Sequence, residues 1–206
     1  MSIKKKIASM FLCIGLLLGL TPVFCGTAVS AGDAVAYGIE EYWFPDQNFR
    51  SWLLKSEYNW PGMNALKYTT IPRILKVDVS NLRIRNLKGV ELFTSLKDLD
   101  CSGNRIPSLD LNGYDFATAA NGDNQIIPAL NITGKSGAWK YDMSVLNISD
   151  LSKVTIADGQ SAVLDKSTGI VTFTTAKKPT ELKYTYDTGA TINTTKNFYL
   201  NVTVVE

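Results

Sequence analysis

A mainly β fold with a small helical cap at its N-terminal end is predicted by three features of the sequence. Aromatic residues crowd the stretch before residue 72, apolar positions then recur every 22 residues, and beyond about residue 134 apolar and polar side chains alternate. A fixed interval of about 20–30 residues marks a stacked repeat, and a period of two marks strands with one buried face.

The chain opens on Met1-Ser2-Ile3-Lys4-Lys5-Lys6, followed by an apolar run from Ile7 to Leu20. Thr21-Pro22 breaks that run, and Val29 and Ala31 supply the small residues a signal peptidase requires. A secretion signal over 1–31, cleaved after Ala31, is therefore expected. The apolar run is shorter than the roughly 20 residues of a permanent span, and no second long one follows it. Cys25 is not a natural lipidation site, because bulky Phe24 precedes it where small residues are wanted. These features predict an exported chain, secreted or associated with the cell surface, with no membrane span after cleavage.

Removing the signal alters the charge balance. The whole chain has 21 basic and 19 acidic residues, and Lys4, Lys5 and Lys6 leave with the signal, so 18 face 19. Near neutrality argues against nucleic acid or an anionic membrane as partner, since both demand a basic surface. Of three cysteines only Cys101 lies beyond residue 31, so the exported part must rest on its packed core rather than on an internal disulfide.

Residues 32–72 read as an aromatic-rich helical cap. Asp46 is a suitable N-cap, and Phe49, Trp52 and Leu53 share one face of a short helix that Trp60-Pro61-Gly62 cannot continue. Residues 73–133 carry the repeat. Ile74, Val77, Val79, Leu82, Ile84 and Leu87 are each followed 22 residues later by Leu96, Leu99, Cys101, Asn104, Ile106 and Leu109. Leu96-x-x-Leu99-x-Cys101-x-x-Asn104-x-Ile106 fits the leucine-rich-repeat consensus at every position. A degraded third copy, Phe116, Ala119, Asn121, Asn124 and Ile126, is read at a spacing of 20. About two to three repeats cannot bury their apolar faces alone, so the cap and the C-terminal part should close the two ends.

Residues 134–206 read as an antiparallel β-sandwich domain, Ig-like in architecture. Ile170–Thr174, Leu182–Tyr186 and Phe198–Val204 alternate, Asp165-Lys166-Ser167-Thr168-Gly169 joins two strands, and Lys178-Pro179 and Asp187-Thr188-Gly189 punctuate the rest.

The repeat alignment also orients side chains. With Leu99 and Cys101 inward, Asp98, Asp100 and Ser102 face outward, and their counterparts are Lys76, Asp78 and Ser80. Strands lie about 4.8 Å apart, so Lys76 should stand beside Asp98 and Asp78 beside Asp100. The first pair is complementary. The second juxtaposes carboxylates, which either belong to an open solvated face or await a ligand group or a weakly held Ca²⁺ ion. Lys76, Asp78, Asp98 and Asp100 are the candidate partner-binding residues.

Three stretches carry a resemblance: Phe44-Pro45-Asp46-Gln47-Asn48-Phe49-Arg50, then Asn86-Leu87-Lys88-Gly89-Val90-Glu91, then Leu96-Lys97-Asp98-Leu99-Asp100-Cys101-Ser102-Gly103-Asn104. Over about residues 44–133 the chain resembles exported, broadly internalin-like leucine-rich-repeat proteins of Gram-positive bacteria. The stretches around Leu151 and around Lys183–Gly189 look like the β-domain that often follows such repeats. The resemblance implies a non-catalytic binding protein without a cofactor, recognising a protein through its repeat face.

The residues point the same way. The chain contains no histidine, which removes the commonest general base and metal ligand. Cys101 sits at an inward position, where a cysteine is a small buried hydrophobe. Glu40, Glu41 and Asp46 are close only in sequence, which makes no carboxylate pair for a glycosidase. Two alternatives stay open: a structural module that associates with itself, and glycan binding through Tyr42, Trp43 or Trp60.

Overall fold

The computed structural model describes residues 36–206, so the expected signal over 1–31 lies outside the described residues. Strands dominate these residues, joined by short 3-10 turns and a single α-helix among the described residues. No helix there is long and apolar enough to cross a membrane.

The cap forms first along the chain. Strand β1 (Ala36–Gly38) pairs antiparallel with β2 (Ala65–Lys67), setting Ala36 against Lys67. Between them lies α1 (Gln47–Lys55). The Asp46 carboxylate accepts the N–H groups of Asn48 and Phe49 at 2.8 and 3.0 Å, satisfying two of the donors a helix start leaves unpaired. Phe49 and Leu53 are fully buried, each contributing about 1.5–3 kcal/mol of apolar burial. Trp52, expected on the same face, is half-buried and stacks on Phe49. The helix ends at Ser56, whose hydroxyl donates to the Leu53 carbonyl at 2.7 Å.

Asp46 also ties the cap to the first repeat coil. Its second oxygen accepts the Arg85 N–H at 2.8 Å, and the Asn48 amide donates to the Arg83 carbonyl. Gly89 comes up against Phe44, at a backbone φ of 102°.

Next come three parallel strands, β3 (Lys76–Asp78), β4 (Asp98–Asp100) and, after a two-residue strand β5 (Asp115–Phe116), β6 (Ala119–Asn121). Val77 and Leu99 point inward from neighbouring strands and are fully buried, as are Ile74, Val79, Ile84, Cys101 and Ile106.

The third copy does not sit at the predicted spacing of 20. Asp98 pairs with Ala119 and Leu99 with Ala120, an offset of 21. Gln125 therefore takes the place of Asn104, and Ile127, 9% exposed, takes that of Ile106. Ile126, expected to point inward, is 53% exposed. The physical reason lies in the polar side chain of the turn. Asn104 accepts the N–H groups of Leu82 and Ile84 and donates to the carbonyls of Val79 and Cys101. Gln125 accepts the Ile106 N–H and donates to the carbonyls of Cys101 and Gly122, its longer reach serving a shorter coil.

The remaining strands make two further sheets. One runs β10 (Val154–Ile156), β13 (Glu181–Ile192), β14 (Lys196–Val205) and β7 (Gln125–Pro128), with β5 parallel to the end of β13. The other runs β11 (Ala162–Asp165), β12 (Ile170–Phe173), β9 (Ala138–Asp142) and β8 (Thr133–Lys135), all antiparallel. Their alternate residues, Tyr141, Val171 and Phe173 from one and Leu182, Tyr184, Tyr186, Leu200 and Val202 from the other, join a single core with the residues beneath β3 and β4. Strands on both sides of residue 133 thus share one sheet, since β7 pairs with β14.

Asp165–Gly169 turns between β11 and β12 as expected. Asp187-Thr188-Gly189 does not end a strand: it is an irregularity within β13, where the register to β14 shifts. Gly189 takes the positive φ of 73° there, and the buried Thr188 hydroxyl donates to the Phe198 carbonyl at 2.7 Å. The actual reversal falls at Asn193 and Thr194, both with positive φ, held by the Asp115 carboxylate accepting the Thr194 N–H.

Candidate functional site

The four candidate residues come together on the outward face of β3 and β4. Lys76 pairs with Asp98 across the strands, Nζ to Oδ2 at 3.6 Å, and Asp78 lies beside Asp100. The Lys76 side chain is 67% exposed and that of Asp98 only 22%. An ion pair this open to solvent stabilises the fold little, so the charges remain legible from outside.

The two neighbouring carboxylates have local work. One oxygen of Asp78 accepts the Ser80 N–H at 3.1 Å. One oxygen of Asp100 accepts both the N–H and the hydroxyl of Ser102, at 2.9 and 2.7 Å. Each closes an Asx turn where the strand leaves the sheet. The other oxygen of Asp100 accepts from the Asn121 side chain at 3.5 Å on the next strand. Among the described residues no group of three or more histidine, cysteine or acidic side chains is placed to hold a metal ion.

The face continues past the repeats. Asn121 accepts the Asp123 N–H, and Asp123 takes a short hydrogen bond from Asn201 of β14. The Asn201 N–H reaches the Gly122 carbonyl at 3.1 Å. Asn121, Asp123 and Asn201 therefore extend the polar row, and the sequence pattern hides them because a spacing of 20 sets the third copy one residue short. With the offset of 21 set by Gln125, Asn121 falls in line with Asp100.

Cys101 lies directly behind this row. It is fully buried, its Sγ is 3.4 Å from the Asn121 carbonyl, and burial together with the Asp100 charge pushes its thiol up to about 12. It is held protonated and away from solvent.

The N-terminal aromatics divide. Phe44 and Phe49 are fully buried, while Trp43 and Trp52 pack against the core. Trp60 is half-buried beneath the Lys67 ammonium, 4.1 Å from its ring centroid. Tyr42 is 70% exposed and meets Trp43 edge-on.

A separate cleft of about 710 Å³ opens where Arg85–Glu91 and Arg105–Asp110 face Ile127–Ala129 and Val145–Ser149. At one wall Asp110 accepts from Lys153 at 2.6 Å, from Ser149 at 2.6 Å and from Tyr186 at 2.8 Å. Burial alone would raise the Asp110 carboxyl, but these three donors together hold it below its ordinary value.

No family model and no curated protein matches the chain. The surface offers a polar strand face with the exposed Lys76–Asp98 ion pair, and a cleft lined by charged, polar and apolar residues.

Proposed function

We propose that the chain is a secreted or cell-surface-associated binding protein without catalytic activity, a short leucine-rich-repeat unit joined to an Ig-like β-domain. In this reading it belongs with the exported, broadly internalin-like proteins and recognises a protein partner through the row Lys76, Asp78, Asp98 and Asp100. The observation that carries it is the charge pattern on β3 and β4: a cation and three carboxylates in register on the outward side of neighbouring strands, with Lys76 67% exposed. Flat polar faces suit protein partners, whereas sugar binding favours open aromatic platforms, and Trp60 is covered by its own lysine.

The test keeps the fold and inverts the message. Exchanging the pair, Lys76→Asp with Asp98→Lys, preserves an internal attraction but reverses what a partner meets. Partners captured from a mixture of extracellular proteins by the unaltered protein should be lost by the exchanged variant, while thermal stability is retained. Equal capture by both would overturn the reading. One observation favours self-association instead: β11 is an edge strand and carries Val163 at 70% exposure. Light scattering that finds a dimer dissolved by Val163→Lys would support that second reading.

A further inference from the structure

The cleft between the turns that follow β3 and β4 and the loop over Val145–Ser149 has a composition unlike the strand face. Its lining mixes polar and apolar residues, with Leu109, Ile127 and Leu146 almost buried and Val145 58% exposed. Three cations line it: Arg85, Lys88 and Arg105. None of their side chains appears in an ion pair or a hydrogen bond among the described residues. The two acids of the cleft are otherwise engaged. Asp110 is neutralised by Lys153, and Glu91 accepts the Gly89 N–H at 2.7 Å. Three cations against the single acid without an ion-pair partner, Glu91, leave the open charge positive. No aromatic side chain lines the space, so a stacked sugar or base finds no platform.

We propose that this cleft binds an acidic, apolar peptide segment of a protein ligand, its carboxylates meeting Arg85, Lys88 and Arg105 while alternate apolar side chains rest on Val145. The volume lies within the roughly 300–1,000 Å³ usual for ligand sites. Guanidinium groups recognise carboxylates through paired N–H donors, which supplies direction as well as charge. The site is independent of the strand face, since neither Lys76 nor Asp98 lines it.

The experiment is fluorescence anisotropy of the purified protein with a labelled peptide that alternates glutamate and leucine. Binding should weaken with added salt and fall by at least about tenfold, the worth of one charge-assisted contact, in the Arg85→Glu/Lys88→Glu variant. Both side chains are exposed, so the variant should melt as the parent does. Val145→Asp should weaken binding through the lost apolar contact, and a glutamine–leucine peptide should not bind. The exchanged Lys76/Asp98 variant should bind unchanged, which separates this site from the strand face. Equal affinity for parent and Arg85→Glu/Lys88→Glu would overturn the proposal. So would the absence of any binding, or binding of polyglutamate as tight as that of the leucine-containing peptide.

Discussion

Gln125 donates its side-chain amide to the same carbonyl that Asn104 uses, that of Cys101, at 2.8 and 2.9 Å. The two amides thus meet at one acceptor between successive coils, and each serves backbone groups of the coil before its own. Both residues are buried, Asn104 at 2% exposure and Gln125 at 0%.

Asn104→Ala should therefore be among the costliest single substitutions. It would leave the buried N–H of Ile84 and the half-buried N–H of Leu82 without an acceptor, at about 1–3 kcal/mol for the buried one and less for the other. Gln125→Ala should cost less, because it orphans one such N–H, that of Ile106. Gln125→Asn should not restore stability, its amide falling one methylene short. Urea unfolding measures all three. The double alanine variant should lose more than the sum, since each single variant leaves the Cys101 carbonyl one donor and the double variant leaves it none.

Gly89 should tolerate no side chain. A Cβ there would lie 2.2 Å from the Phe44 ring and 2.7 Å from the Trp43 carbonyl, and its φ of 102° is itself unfavourable for other residues. Gly89→Ala is expected to cost about 2–4 kcal/mol through overpacking and strain. Gly113→Ala is the control, with a φ of 83° but nothing within 4 Å, and should cost no more than about 1 kcal/mol. If the two variants unfold at the same denaturant concentration, the cap is not seated on the first coil through Gly89 and Phe44.

Much of this is legible in the sequence alone. Asp46 with Phe49 and Leu53 announces a capped helix, and the interval of 22 places Lys76 beside Asp98. The third coil is ambiguous because Ile126 and Ile127 are adjacent and either could point inward. Only the reach of Gln125 decides between them. The motif Asp187-Thr188-Gly189 looks like a turn, because a glycine with positive φ serves a bulge as readily as a reversal. The true reversal at Asn193-Thr194 is hidden, since threonine rarely takes positive φ and is held there by Asp115, far away in sequence. The cleft has no sequence signature. Its walls span Arg85 to Ser149, and only the packing of one loop against two coils gathers them.

Asp100 allows structural and charge effects to be separated. Its oxygen closes a turn onto Ser102, while its charge faces that of Asp78 one strand away. Asp100→Asn keeps an acceptor for the turn and removes the repulsion, so stability should rise slightly or stay within about 0.5 kcal/mol. The gain should fade as salt is added. Asp100→Ala, which loses the turn, should cost about 1 kcal/mol. Melting curves at low and high salt distinguish these outcomes. A large loss in Asp100→Asn would mean that the charge itself, rather than the turn, holds this part of the coil.

Buried acids set the alkaline limit of the fold. Burial raises the Cys101 thiol from 9.0 to about 12 and the Tyr141 hydroxyl from 10.0 to about 12, and it raises Tyr184 further still. In each case the folded state holds a proton that the unfolded chain gives up. Their contribution is fully present below the unfolded values and is lost as pH rises toward the folded ones. Stability should thus be level through neutrality, begin to fall near pH 9 as Cys101 comes into play, and fall faster above pH 10 as the tyrosines follow. The slope is about 1.4 kcal/mol per pH unit for each proton released. Cys101→Ala should remove the first part of this decline and leave the second. Alkylation localised to Cys101 by mass spectrometry gives an independent reading, because a fully buried, protonated thiol should react only when the chain unfolds. If Cys101 instead reacts in native buffer at the rate of a free thiol, the coil between β4 and β6 opens locally, and the polar row in front of it is a mobile surface.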